Sequence, residues 1–266
     1  MLKAETRGPI TRIHLARSIL GRPLYWVSAY LVDDLLIDTG CPATARELVD
    51  WCRDQNVRQV INTHHHEDHS GGDRLLIQEL GLPVAAPRTA VPILADFPRL
   101  QFYRRAIWGQ PRGVKVDPLG NTVETERFRF KVIPTPGHCS DHICLFEPQQ
   151  GWLFSGDLFV HERVRYLRVD EDPLTTLDSL RRVLALQPQL LICAHFGLVE
   201  NGCDAIERKI AYWEGVAEQA RTLHDEGLPL GEVRDRVLGK EDHMAVFTQG
   251  HFSKLNLITA LLGENG

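Results

Sequence analysis

The sequence contains no Cys-x-x-C pair, no run of about 18 apolar residues, and no strong excess of one charge sign. Each absence excludes something. Its six cysteines (Cys41, Cys52, Cys139, Cys144, Cys193 and Cys203) are scattered, which argues against a disulfide framework and against a cysteine-built zinc knuckle. Without a long apolar run or a basic start followed by one, neither a membrane span nor a secretory leader is expected, and the expected location is cytoplasmic. The formal charge of −5 and a pI near 6.2 give no global attraction to nucleic acid, which is therefore not the expected partner. What is present is a chain of 266 residues, 43% hydrophobic and 24% charged, enough to bury a sizeable core.

Periodicity places most elements. LYWVSAYLVDDLLIDTG reads as a β-hairpin turning at Asp33-Asp34 and ending at Asp38-Thr39-Gly40. ATARELVDWCRDQ has helical spacing, and the short strand VRQVIN then leads directly into THHHEDHSGG. A helix (GGDRLLIQELG), a strand (LPVAAP) and a proline-broken stretch (RTAVPILADFPRLQFYRRAIWGQ) follow. From Thr122 the pattern is strand-like again through TVETERFRFKVIPTPGH, HICLFEP and GWLFSGD. LTTLDSLRRVLALQ is a helix and PQLLICAHFG a buried strand, and from about Asn201 the chain is helical.

THHHEDHSGG crowds metal-capable side chains into one loop. In the pattern H-x-H-x-D-H, His64, His66, Asp68 and His69 are ligand types suited to a borderline divalent metal such as zinc. Four such groups exceed what one open catalytic zinc takes from a single loop, so the spacing suggests two neighbouring metals. Further candidates stand at other strand ends: His138 in TPGHCSDH, Asp157 in FSGD and His195 in CAHFG. His65 and Glu67, at the x positions, are expected to face outward. Cys139 and Cys193, flanking candidate ligands, are read as packing thiols.

The ordered set LIDTG, THHHEDHSGG, TPGH, FSGD, AHFG resembles the metallo-β-lactamase superfamily and, within it, the glyoxalase II-like hydrolases, across roughly residues 10 to 215. The resemblance implies an α/β four-layer αββα sandwich with a small C-terminal helical appendage. Residues 1–200 would form the catalytic domain and 201–266 a helical region packed on it. It also implies two divalent ions, zinc first with iron or manganese as alternatives: His64, His66 and His138 for one, Asp68, His69 and His195 for the other, and Asp157 between them. Asp38 would orient the site without being a ligand, and His142 would support it or begin a strand. Two such metals lower the pKa of a shared water toward neutrality, giving a hydroxide that attacks an ester, thioester or lactone carbonyl, with Asp68 as the proton acceptor.

Substrate contacts are assigned to the segment HERVRYLR, through Arg163, Arg165, Tyr166 and Arg168, and to Tyr103, Arg104, Arg105 and Trp108, with a solvated basic surface as the competing reading. His251, in the tail QGHFSKLNLITALL, either reaches the pocket or packs at an interface. Glyoxalase II-like enzymes carry a glycine- and cysteine-rich stretch after Gly-Asp that this chain lacks, which argues against glutathione recognition. The expected partner is a small molecule, with an anionic one in view, and the chain is compatible with a homodimer. The competing functions are a phosphodiesterase or endoribonuclease on the same site, a mononuclear-iron sulfur dioxygenase, a β-lactamase, and a non-catalytic binding module with a vestigial site.

Overall fold

The computed structural model describes residues 1–264. Two mixed sheets lie face to face. The first has seven strands in the order Leu2–Arg7, Ile10–Leu15, Val27–Val32, Leu35–Ile37, Gln59–Ile61, Val84–Ala86 and Asp117–Pro118; it is antiparallel up to Leu35–Ile37 and parallel beyond it. The second has six, in the order Thr122–Glu124, Arg129–Pro134, Ile143–Glu147, Trp152–Gly156, Leu190–Cys193 and Gly197–Glu200. Its one parallel pair joins Trp152–Gly156 to Leu190–Cys193.

Strand alternation explains the layering. Tyr30, Val32, Leu35 and Ile37 of the first sheet meet Phe130, Leu145, Phe154 and Ile192 of the second in a shared apolar layer. The opposite face of the first sheet (Leu31, Leu36, Val60) is covered by the helix Ala45–Cys52, whose Ala45, Leu48, Val49 and Cys52 form one buried stripe at helical spacing, and by Leu76 of the helix Asp73–Leu80. The outer face of the second sheet is covered by the helix Pro173–Leu184 through Leu177, Leu180 and Val183. That helix starts where Asp172 accepts from the backbone N–H groups of Leu174 and Thr175 at 3.0 Å each, with Pro173 in its first turn. The result is the αββα sandwich.

Residues beyond 201 join the same outer core. Ile206, Ile210, Trp213 and Val216 of the long helix Gly202–Asp225 share one cluster with Leu180, Leu191 and Cys193, as do Leu257, Ile258 and Leu261 of the last helix, Lys254–Leu261. A two-residue ribbon pairing Leu167–Arg168 with Phe252–Ser253 ties this tail to the segment after Gly156-Asp157. Among the described residues no helix is long and apolar enough to cross a membrane. All six cysteines are free.

Candidate metal centre

The strand Gln59–Ile61 runs out at Asn62-Thr63 and the chain turns into a one-turn helix, Glu67–Ser70. His64 and His66 therefore lie on the bend that leaves the strand, while Asp68 and His69 sit on the helical turn. The loop is held from behind. Buried Asp73 accepts from Thr39 Oγ1 at 2.7 Å and Asn62 Nδ2 at 2.5 Å, joining the ends of two strands. Asp38 accepts from the Thr63 backbone N–H at 2.7 Å and stands 2.7 Å from His69 Nδ1. Accepting the proton of Nδ1 leaves the lone pair of His69 Nε2 free to face the site.

Three imidazole nitrogens converge from the first loop and from TPGH: His64 Nε2 is 2.8 Å from His66 Nδ1, which is 2.9 Å from His138 Nε2. Beside them lies a second group. His195 Nε2 is 3.4 Å from Asp68 Oδ2, and His69 Nε2 is 3.8 Å from the same oxygen. Asp157 belongs to both groups: its Oδ1 is 3.4 Å from His69 Nε2 and 3.4 Å from His195 Nε2, and its Oδ2 is 3.3 Å from His138 Nε2. Ligands about 2.0–2.2 Å from a common cation, at angles between octahedral and tetrahedral, are themselves roughly 2.9–3.6 Å apart. Most of these separations fall in or near that range, and the donors are nitrogen and carboxylate oxygen, as zinc, iron and manganese accept. His69 Nε2 and Asp157 Oδ1 are moreover buried without a hydrogen-bond partner, a costly state that one cation between them would remove.

The electrostatics differ between the two groups. Burial, reinforced by neighbouring cationic and imidazole groups, holds His64 and His66 well below the ordinary imidazole range, which keeps them as neutral lone-pair donors. Burial also opposes charge on His69 and His195, but Asp157 and Asp68, with Asp38 added at His69, outweigh it and hold both well above that range. This half of the site attracts positive charge. For His66 Nδ1 to offer its lone pair, the ring proton must sit on Nε2, where Arg168 Nη2 stands at 3.2 Å. The guanidinium then donates from Nη2 to His138 O at 3.2 Å, while its Nε stands within ion-pair distance of Glu171 Oε1 at 3.1 Å and Asp170 Oδ1 at 3.2 Å without a hydrogen bond to either.

Behind Asp157, His142 Nε2 accepts the Asp157 backbone N–H at 3.0 Å, so its proton lies on Nδ1, facing Thr135 Oγ1 at 2.8 Å. The contact requires Gly156, whose φ of +47° is left-handed and whose Cβ, if present, would stand 2.7 Å from His142 Nε2. Burial lowers His142 to about 3. The unfolded chain takes up that proton near 6.5 and the folded chain refuses it, so stability is lost as pH falls through that interval. For this group alone the loss is about 2 kcal/mol between pH 7 and pH 5. In chelator-treated protein His142→Gln should flatten the fall in unfolding free energy by about that much; an unchanged slope would contradict the assignment.

The seven candidate ligands thus meet, with Asp38 and His142 behind them. Other expectations are corrected. Glu67 does not face outward: it is fully buried and receives Arg104 Nε at 2.8 Å and Nη2 at 2.5 Å in a two-pronged ion pair. His65 is half-buried and turned to Asp141 at 2.7 Å. Arg163 and Arg165 are exposed, because side chains alternate along this extended segment and Val164, Tyr166 and Arg168 take the inward positions. His251 stops short of the cavity wall, bonded to Tyr103 Oη at 2.9 Å. Arg105 is not among the residues that line the cavity.

The cavity above the ligands measures about 240 Å³. Its walls include Tyr25, Tyr103, Trp108, Val164, Trp213 and Phe252, while Asp68, His138, Asp157 and His195 lie at its base. Lys209 and Glu171, which sequence reasoning passed over, also line it.

The family model of the metallo-beta-lactamase superfamily matches residues 26–195. The chain belongs to that superfamily. Within it, the chain is 29% identical over 188 residues to the beta-lactamase-like protein 2 homolog of Drosophila melanogaster, covering 65% of this chain and 58% of that protein. It is 34% identical over 151 residues to a hydroxyacylglutathione hydrolase of Legionella pneumophila (strain Lens), covering 54% and 50%. The chain thus spans half to three-fifths of the length of these relatives. Among solved structures, a beta-lactamase domain protein from Burkholderia ambifaria superposes with a TM-score of 0.74 at 18% identity, covering 97% of this chain and 87% of that one. Such likeness supports the metallo-beta-lactamase fold. TTHA1623, solved in a di-iron-bound form, is 28% identical with a TM-score of 0.55, covering 67% and 92%. The superfamily's His/Asp metal-binding groups are present here.

Proposed function

We propose that this chain is a dinuclear metal-dependent hydrolase of esters, thioesters or lactones. The observation that carries the reading is Asp157, whose two carboxylate oxygens face two different histidine groups at 3.3–3.4 Å. His64, His66 and His138 would hold one ion and Asp68, His69 and His195 the other, with zinc the first choice and iron or manganese also suited. When bound, such a pair supplies Lewis-acid polarisation of a carbonyl and a water acidic enough to ionise near neutral pH.

The chain's own residues do the rest. Asp68 lines the cavity with Oδ2 toward His195, which supports its role in orienting the attacking water and taking its proton. Asp38 and the Trp26 carbonyl, 2.9 Å from His195 Nδ1, fix the two imidazoles of that half. Tyr25 packs edge-on against Trp108 at 5.6 Å and tilts over His195 at 5.4 Å, giving the cavity an aromatic wall beside that imidazole. The lineage that includes hydroxyacylglutathione hydrolases favours a carbonyl substrate.

Metal-loaded protein should cleave members of a panel of 4-nitrophenyl esters, aryl thioesters and lactones, and lose that activity on chelation. Turnover confined to bis(4-nitrophenyl) phosphate would replace this reading with a phosphodiesterase, and no turnover with both ions bound would sink the hydrolase.

A further inference from the structure

The stripe that packs the long helix Gly202–Asp225 against the core runs Ile206, Lys209, Ile210, Trp213, Val216. Lys209 occupies a position where helical spacing asks for an apolar residue, and it is 2% exposed. A buried ammonium is costly unless its charge and donors are met. Its Nζ donates to Leu158 O at 2.9 Å and lies 5.6 Å from the Phe159 ring centre and 4.9 Å from that of Trp213. These contacts use one of three donors and give partial cation–π compensation.

A counter-charge is missing. The two arginines that line this cavity have theirs: Arg104 holds Glu67, and Arg168 holds Glu171 and Asp170. Among the described residues Lys209 forms no ion pair. The carboxylates that influence it, Glu171 and Asp157, are engaged with Arg168 and with the histidines. Yet Lys209 lines the same cavity as Asp68 and Asp157, between Trp213 and the loop that carries Asp157.

We propose that Lys209 anchors an anionic group of the substrate, so that the molecule hydrolysed carries a carboxylate or phosphate away from its scissile carbonyl. This rests on the hydrolase reading above. In a cavity walled largely by aromatic and aliphatic side chains, an ammonium with two spare donors binds an anion far better than its neutral isostere.

Two pairs of measurements test it on metal-loaded protein. In the first, kcat/KM is compared for the 4-nitrophenyl esters of succinate, 3-phosphonopropionate and the neutral pentanoate, in wild type and in Lys209→Met. Wild type should favour one of the anionic esters by at least about tenfold, the preferred one telling carboxylate from phosphate, and Lys209→Met should reduce that ratio by a similar factor. A ratio that is absent in wild type or unchanged in the variant overturns the proposal.

In the second, calorimetry compares binding of succinate and 3-phosphonopropionate with that of succinamide. The bound metals are common to both proteins, so the tenfold weakening expected in Lys209→Met isolates the lysine. If no ester is cleaved, the hydrolase reading fails and the calorimetric comparison still decides this one. If Lys209→Met does not fold, wild type decides, and equal binding of anionic and neutral probes overturns the anchor.

Discussion

On the proposed dinuclear reading, Asp157→Ala should lower the metal content of the purified chain from two ions toward one or none, and kcat/KM should fall by roughly a thousandfold or more, about 4 kcal/mol of transition-state stabilisation. The size of the effect follows from its position. Its carboxylate is in contact distance of three of the histidines, His69, His138 and His195, and its removal strips charge from both halves of the site at once. Its pKa shows the same neighbours: burial alone would raise it, yet His195 and His69 hold it well below the ordinary carboxylate range. The fold should survive, because the Asp157 backbone contact to His142 does not involve the carboxylate. Metal analysis beside steady-state kinetics checks the expectation, and full activity with two ions bound would refute the bridging role.

Arg104→Ala should be strongly destabilising although Arg104 is not a ligand. The guanidinium side chain is 8% exposed and the Glu67 carboxylate it meets is 1% exposed. Removing one partner leaves a buried charge unpaired, which costs about 3–5 kcal/mol. The loss would not stay local: Glu67 lies between His66 and Asp68, and Arg104 lies on the helix Phe102–Ile107, so the ion pair fastens that helix to the metal loop. Replacing both partners by apolar residues of similar length, Glu67→Leu with Arg104→Met, should recover most of the stability, since no unpaired charge then remains. Denaturant unfolding of the single and double variants measures both. A single variant within 1 kcal/mol of wild type, a bound set by exposed pairs, would mean that the pair is solvated.

The sequence carries the layered core and the ligand set because both depend on short-range signals. Alternation in VSAYLV, the helical stripe of ARELVDWC and the strand ends before His64, His138, Asp157 and His195 are legible within a few residues. What is not legible depends on distant partners. The ribbon of Leu167–Arg168 with Phe252–Ser253 is two residues long on each side and has no periodicity to read, yet it helps set which way Tyr166 and Arg168 face. The edge strand Gly197–Glu200 and the amino-terminal hairpin Leu2–Arg7 with Ile10–Leu15 were likewise invisible to pattern alone. Glu67 looked outward because its neighbours alternate, but the helical turn that begins at Glu67 breaks the alternation and carries it inward to Arg104. Lys209 did leave a trace, a charge inside the stripe Ile206–Ile210–Trp213, which only burial turns into a site residue.

Anomalous diffraction at the metal edges of crystals of the metal-loaded protein tests the central claim most directly. Two peaks are predicted, one among His64, His66 and His138 and one among Asp68, His69 and His195, with the Asp157 carboxylate between them. A single peak, or one seated instead at His65, Cys139 and Asp141, would contradict it.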